Sequence, residues 1–197
     1  MTGVIALIIL LLSVVSYGGI TSLAPENNYW TNTSSVNFSF TLSNYSSYDN
    51  ETCSLYLNDN LNLTKNASTN INFQVDDMSG EYDWYFNCTK GNSSITSSLR
   101  TLYVDTEKPS VNLTYPDNNT NHTNITRLVY RVKDDMASQL NCSLRINSQQ
   151  FNSVVNNGSL ENVSVNASIG ENHWNVSCKD KAGNTIISKN RVFRLEN

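Results

Sequence analysis

Along this chain the hydrophobic positions recur with a period of two. Val36, Phe38, Phe40 and Leu42 alternate with Asn37, Ser39 and Thr41; Ile71, Phe73 and Val75 alternate with Asn72 and Gln74; Val163, Val165, Ala167 and Ile169 alternate with Ser164, Asn166 and Ser168. Successive side chains of a strand point to opposite faces, so these stretches predict strands with one face in a core and the other in water. No amphipathic helical period of useful length follows residue 20. Only the N-terminus breaks the alternation. It is nearly all apolar from Val4 to Val15 and then turns small at Ser16-Tyr17-Gly18-Gly19. That core is short of the roughly 20 residues that cross a bilayer, and it fits a signal peptide over residues 1–20. An uncleaved N-terminal anchor is the alternative, and the absence of Lys or Arg before the apolar core is unusual for a signal.

The strand pattern is written twice. Cys53-Ser54-Leu55-Tyr56-Leu57 and Trp84-Tyr85-Phe86-Asn87-Cys88 return as Cys142-Ser143-Leu144-Arg145-Ile146 and Trp174-Asn175-Val176-Ser177-Cys178. Pro25-Glu26-Asn27-Asn28 returns as Pro116-Asp117-Asn118-Asn119, and the offsets of Pro25, Cys53 and Trp84 from their counterparts are 91, 89 and 90. Length changes are therefore confined to loops. The expected organisation is one module over residues 22–106 and a second over 107–197, each of about seven short strands in a β-sandwich. Val104-Asp105-Thr106-Glu107-Lys108-Pro109 reads as a strand end followed by a short, proline-stiffened linker.

All four cysteines lie in the repeated motifs, so repeat logic pairs Cys53 with Cys88 and Cys142 with Cys178. Cys53, Leu55 and Leu57 share one face of their strand; Tyr82, Trp84, Phe86 and Cys88 share one face of theirs. If the two strands are antiparallel neighbours, the cysteines stand side by side. Pairing between the copies is the alternative, and it would break the repeat. Trp84 and Trp174 fall on the inward face and are expected core residues.

Composition then narrows the setting. Charged residues are 15% of the chain and the net charge is -4, with no basic cluster, which argues against nucleic acid. The chain holds 31 asparagines and seventeen Asn-x-Ser/Thr sequons, where about seven would arise by chance. Asn37, Asn87, Asn166 and Asn175 alternate with core residues, so glycans are expected on outer faces of strands. Disulfides, sequons and the apolar N-terminus all place the modules in a secreted or cell-surface location.

The Pro-x-Asn-Asn opening, the Cys-Ser-Leu strand, the Trp-x-x-x-Cys strand, Lys181-Ala182-Gly183-Asn184 and the Val-Asp-Thr-x-x-Pro linker together resemble the immunoglobulin-like repeats of secreted archaeal and bacterial surface proteins. The resemblance covers nearly everything after residue 22. It implies tandem immunoglobulin-like sandwiches, with each staple joining strands C and F of one sheet. Copy one offers Lys90-Gly91-Asn92 where copy two has Ala-Gly-Asn, so its last hairpin is expected to differ. Such repeats serve as spacers, adhesion units and envelope parts, so the resemblance implies no single activity.

Catalytic chemistry does not emerge. His122 and His173 have no counterparts in copy one and read as solvated, and no Ser-His-Asp device is supported. The cysteine spacings are too long for zinc. Asp76-Asp77 and Asp134-Asp135 occupy different places in their repeats and read as solvated turn residues, so neither they nor Asp105 and Glu107 are assigned a metal. Tyr29, Trp30, Tyr45 and Tyr48 form an aromatic group expected in copy-one loops and constitute a candidate ligand surface. The function expected is a non-enzymatic extracellular spacer or adhesion element, without cofactor. The alternatives are a module that binds surface glycans or envelope proteins through copy-one loops, and an accessory part of a larger secreted protein. Membrane contact is expected only through residues 1–20.

Overall fold

In the computed structural model, residues 19–43 and 51–197 are described. Residues 1–18 of the apolar N-terminus, together with Tyr45 and Tyr48 of the aromatic group, lie outside the described residues. Every regular element among the described residues is a strand.

Module one contains β1 (Ile20–Ala24), β2 (Tyr29–Thr31), β3 (Val36–Leu42), β4 (Thr52–Leu57), β5 (Asn60–Asn66), β6 (Asn70–Val75), β7 (Gly80–Lys90), β8 (Ser93–Thr96) and β9 (Arg100–Val104). Module two repeats the series as β10 (Ser110–Tyr115), β11 (Thr120–His122), β12 (Arg127–Lys133), β13 (Gln139–Ile146), β14 (Gln149–Asn156), β15 (Leu160–Ser164), β16 (Gly170–Lys179), β17 (Thr185–Ile187) and β18 (Arg191–Leu195). In each module a three-stranded sheet, β1-β3-β6 or β10-β12-β15, faces a six-stranded one, β2-β9-β7-β4-β5 or β11-β18-β16-β13-β14, with β8 or β17 added on the long central strand. The two sheets of each module pack face to face as a β-sandwich, and the two sandwiches follow in tandem.

Nine elements per module replace the expected seven for two reasons. A three-residue strand, β2 or β11, pairs parallel with the last strand, which a sequence pattern this short does not announce. The last strand is also split, because β8 and β9 pair with different stretches of β7. One expected strand is shorter than its pattern. β15 ends at Ser164; Val165 remains buried but Ile169 is 62% exposed, so the alternation outruns the pairing.

The alternating stretch Val36–Leu42 buries every second side chain on β3. Phe38 meets the Trp84 ring edge-on at 5.1 Å, and Phe86 touches Phe40 at 4.3 Å and Phe73 at 5.6 Å. Each such aromatic pair adds about 0.5–1.5 kcal/mol beyond the area it buries. Trp174 takes the equivalent central place in module two, 1% exposed, among Leu128, Leu140, Val176 and Phe193.

Asparagines build much of the backbone scaffold. In the Pro-x-Asn-Asn turns, Asn27 and Asn118 each accept an N–H from the last strand, at Thr101 and Val192, through the side-chain oxygen. The next residue, Asn28 or Asn119, adopts φ near +60° and donates its own N–H to the carbonyl of Thr101 or Val192. Asn58 and Asn147 do the same between the fourth and long central strands, accepting from Asp83 and His173. Asparagine tolerates the left-handed region better than most residues and bonds local backbone, which explains its place at these four turns.

Candidate functional site

Cys53 lies opposite Cys88 across β4 and β7, and Cys142 opposite Cys178 across β13 and β16, with Cα–Cα separations of 4.0 and 4.1 Å. Both pairs are bonded, each within one sheet of its own module. They fasten a strand pair without presenting chemistry to solvent, since all four cysteines are buried.

Of the four asparagines expected on outer strand faces, Asn37, Asn87 and Asn175 lie on β3, β7 and β16, but Asn166 falls in the loop after β15, because that strand ends at Ser164. Asn37 and Asn166 are exposed. Asn87 and Asn175 are only half-exposed on central strands, where the Asn87 side-chain oxygen is buried without a partner and the Asn175 amide donates to Asn190 at 2.7 Å. The amide nitrogen that a glycan would need thus already uses one of its two N–H donors at Asn175.

Neither histidine joins a catalytic constellation. His173 is exposed and contacts Glu171 at 2.7 Å. His122 differs from its expected solvated state. It is half-buried on β11, bonded to Thr120 at 2.9 Å and flanked by the rings of Tyr115 and Phe193, because the short parallel strand carries it onto the sandwich edge.

The aromatic group does not form one platform either. Tyr29 and Trp30 sit on a strand, β2, rather than in a loop, and as neighbours they face opposite ways. Tyr29 is 47% exposed beside a shallow cleft that includes Pro25, Thr31 and Val36. Trp30 stacks on Tyr103 at 4.4 Å and carries Lys181 of module two over its ring, with Nζ 4.7 Å from the centroid. Trp30 is therefore packing between the modules.

That contact leads to the most unusual chemistry in the molecule. The linker leaves β9 at Val104 and buries Asp105, which is 1% exposed. The Asp105 N–H donates to the Thr31 carbonyl of module one, while its carbonyl accepts from the Asn184 amide of module two at 2.8 Å. Three loops meet here: the linker, the turn between β12 and β13, and the loop between β16 and β17. One carboxylate oxygen from each of Asp105, Asp134 and Asp135 lies within 4.8 Å of the others. Asp134, half-buried with its Oδ2 shut off from solvent, departs from the solvated turn residue expected of it, while Asp135 is exposed as expected. A residue's place within one repeat says nothing about a site assembled between repeats.

Asp180 adds a fourth charge and is 3% exposed. Its Oδ1 accepts from the N–H groups of Gly183 and Asn184 at 2.6 and 2.8 Å, a loop-closing role that the Ala-Gly-Asn motif makes possible. Asp134 is held the same way, its Oδ1 accepting from Met136 and Ala137. Burial first, and then the charges of Asp134, Asp135 and Asp180, push the Asp105 carboxyl up to about 6, although the Glu107 N–H opposes the shift. Sequence reading named Asp105, Asp134 and Asp135 and quoted Asn184 only as part of a repeat motif; it missed Asp180. The available signal was that Lys181-Ala182-Gly183-Asn184 occurs in the second copy alone.

No family model matches the chain, and no curated protein matches it. Solved structures do. The fibronectin(III)-like modules of Clostridium thermocellum CbhA superpose with a TM-score of 0.51 at 14% identity, covering 90% of this chain and 93% of theirs. The D1-D4 ectodomain fragment of ICAM-5 superposes with a TM-score of 0.53 at 10% identity, covering 88% of this chain, which spans 53% of the fragment. At such identities the likeness concerns the fold, and the fold of this chain is a tandem of immunoglobulin- and fibronectin-III-like β-sandwiches.

Proposed function

We propose that this chain is a non-enzymatic, extracellular structural and adhesion element, two modules divided between residues 106 and 107 that hold a partner or a surface at a set distance. The observation that carries the reading is the clamped linker. Asp105 is bonded by its N–H to module one and by its carbonyl to module two, Pro109 is buried, and Lys181 caps Trp30 across the boundary. A linker tied on both sides transmits force and direction, which a spacer requires and a flexible tether does not supply. Two intrasheet disulfides and an asparagine-rich exterior suit the secreted or cell-surface setting.

Cell-surface glycans or envelope proteins are the partners this role calls for, and exposed Asn37 and Asn166 are the sites proposed for glycans ahead of Asn87 and Asn175. Protease treatment of intact cells tests the location. The full chain should be cleaved without lysis, and its cysteines should resist alkylation until reduced. A chain protected inside intact cells, with thiols free to alkylate, overturns the reading. Pull-down of envelope fractions with the same chain then separates an adhesion element from a bare spacer.

A further inference from the structure

The geometry points to a divalent-cation site of the calcium type at the module junction, with Asp105, Asp134 and Asp135 as ligands and Asp180 as a further carboxylate on its flank. Calcium takes oxygen ligands at about 2.3–2.6 Å, so two oxygens on one ion are no more than about 5 Å apart. The three carboxylate oxygens within 4.8 Å of one another meet that limit.

A second observation is independent of the clustering. Asp105, Asp134 and Asp180 each have one oxygen, Oδ2, that is buried and has no hydrogen-bond partner. In all three, Oδ1 is held by backbone N–H groups, which fixes the carboxylate and leaves the second oxygen open. Asp105 and Asp180 are 1% and 3% exposed, so bulk solvent does not reach them. A buried, unpaired carboxylate is costly, and two of these three, Asp105 and Asp134, sit with Asp135 in the cluster, a grouping that calls for a positive charge. Protein cations do not supply it. The ion pairs among the described residues are Lys90–Glu51, His173–Glu171 and Arg191–Asp117, all elsewhere, and the nearby Lys181 lies on the Trp30 ring.

The donors are all oxygens, which suits a hard cation. They come from two separate segments, the linker and the β12–β13 turn, and exposed Asp135 leaves room for water ligands. That flexible set fits calcium with its six to eight ligands better than magnesium with its strict octahedron. Because Asp105 belongs to the linker and the others to module two, the ion ties the linker to the module that follows.

Isothermal titration of calcium chloride into the chelator-stripped full chain tests this. One saturable site per chain is expected, with magnesium at least about tenfold weaker. Asp105→Asn should abolish binding. Asp135→Asn, an exposed substitution that leaves the fold intact, should weaken it about tenfold or more. Asp76→Asn, in the exposed turn after β6, should leave affinity unchanged. No binding heat with folded wild-type chain overturns the proposal, as does equal affinity for magnesium, or wild-type affinity in both Asp105→Asn and Asp135→Asn.

Discussion

Lys90 and Asp180 occupy the same place in the two modules, two residues beyond the second cysteine of each staple, and they carry opposite charge. In module one the long strand turns straight back into β8 through Gly91 and Asn92, with Gly91 at φ +53°. Lys90 there pairs with Glu51, a buried carboxylate at the same end of the sandwich. In module two a longer loop, Asp180 to Asn184, intervenes, and the residue in the lysine's place is itself a buried carboxylate. One pole neutralises its buried acid internally; the other accumulates acids against the linker. Duplication has kept the core and the asparagine-built turns while the loops diverged, and the diverged loops of module two meet the linker and β2 of module one at the junction.

The shared part should fail alike in both halves. Trp84→Ala or Trp174→Ala removes a side chain no more than 1% exposed from the centre of a sandwich, at a cost of about 3–5 kcal/mol. In a denaturant titration that resolves the modules, each substitution should shift only its own transition. A Trp84→Ala chain in which both transitions shift equally would mean that the modules unfold as one unit. Replacing Cys53 and Cys88 together by Ala, or Cys142 and Cys178, should come next, at about 3–4 kcal/mol on the chain-entropy estimate for loops of 35 and 36 residues. Similar losses in the two modules are expected, since the staples close loops of nearly equal size.

The divergent part should show in the response to pH. With divalent cations chelated, Asp105 titrates near 6 in the folded chain against its ordinary 3.8, because burial and three neighbouring carboxylates disfavour its charge. Between those values the folded state holds a proton that the unfolded state has released. Stability therefore falls as pH rises from about 4 to about 6 and is flat above, by on the order of 2 kcal/mol. Asp105→Asn should remove that slope, and Asp180→Lys, which installs module one's charge in module two, should reduce it. Thermal midpoints measured at pH 4, 5, 6 and 7 in chelator check both; a slope unchanged in Asp105→Asn assigns it to other groups.

How far the sequence announces all this depends on the range of the interaction. Alternation at Val36–Leu42 and the repeated Cys and Trp motifs are local or near-identical copies, and they disclose the sandwiches and the positions of the staples. The three-residue strands β2 and β11 were hidden because so short a run has no readable period. Asn58 and Asn147 were hidden for another reason: outside any sequon, an asparagine that caps a backbone looks like surface filler. The junction was hardest. Its carboxylates are separated by up to 75 residues along the chain, and comparing repeat with repeat discards what occurs only between them.

The smallest effect separates packing from charge at that boundary. Lys181 lies over Trp30, which is itself stacked on Tyr103, so a cation from module two rests on an aromatic pair of module one. An exposed or half-exposed cation–π contact contributes about 0.5–1 kcal/mol. Lys181→Ala should therefore lower the coupling between the modules by about that amount without moving either module's own unfolding transition. Lys181→Met, which keeps the apolar stem over the ring and drops the charge, should recover part of the loss if stem packing matters. Small-angle scattering of the full chain reads the same contact geometrically. A broader distribution of intramolecular distances in Lys181→Ala, narrowed again by calcium, would show two separable fasteners at one joint; a distribution identical to wild type in chelator would leave the Asp105 hydrogen bonds as sufficient to hold it.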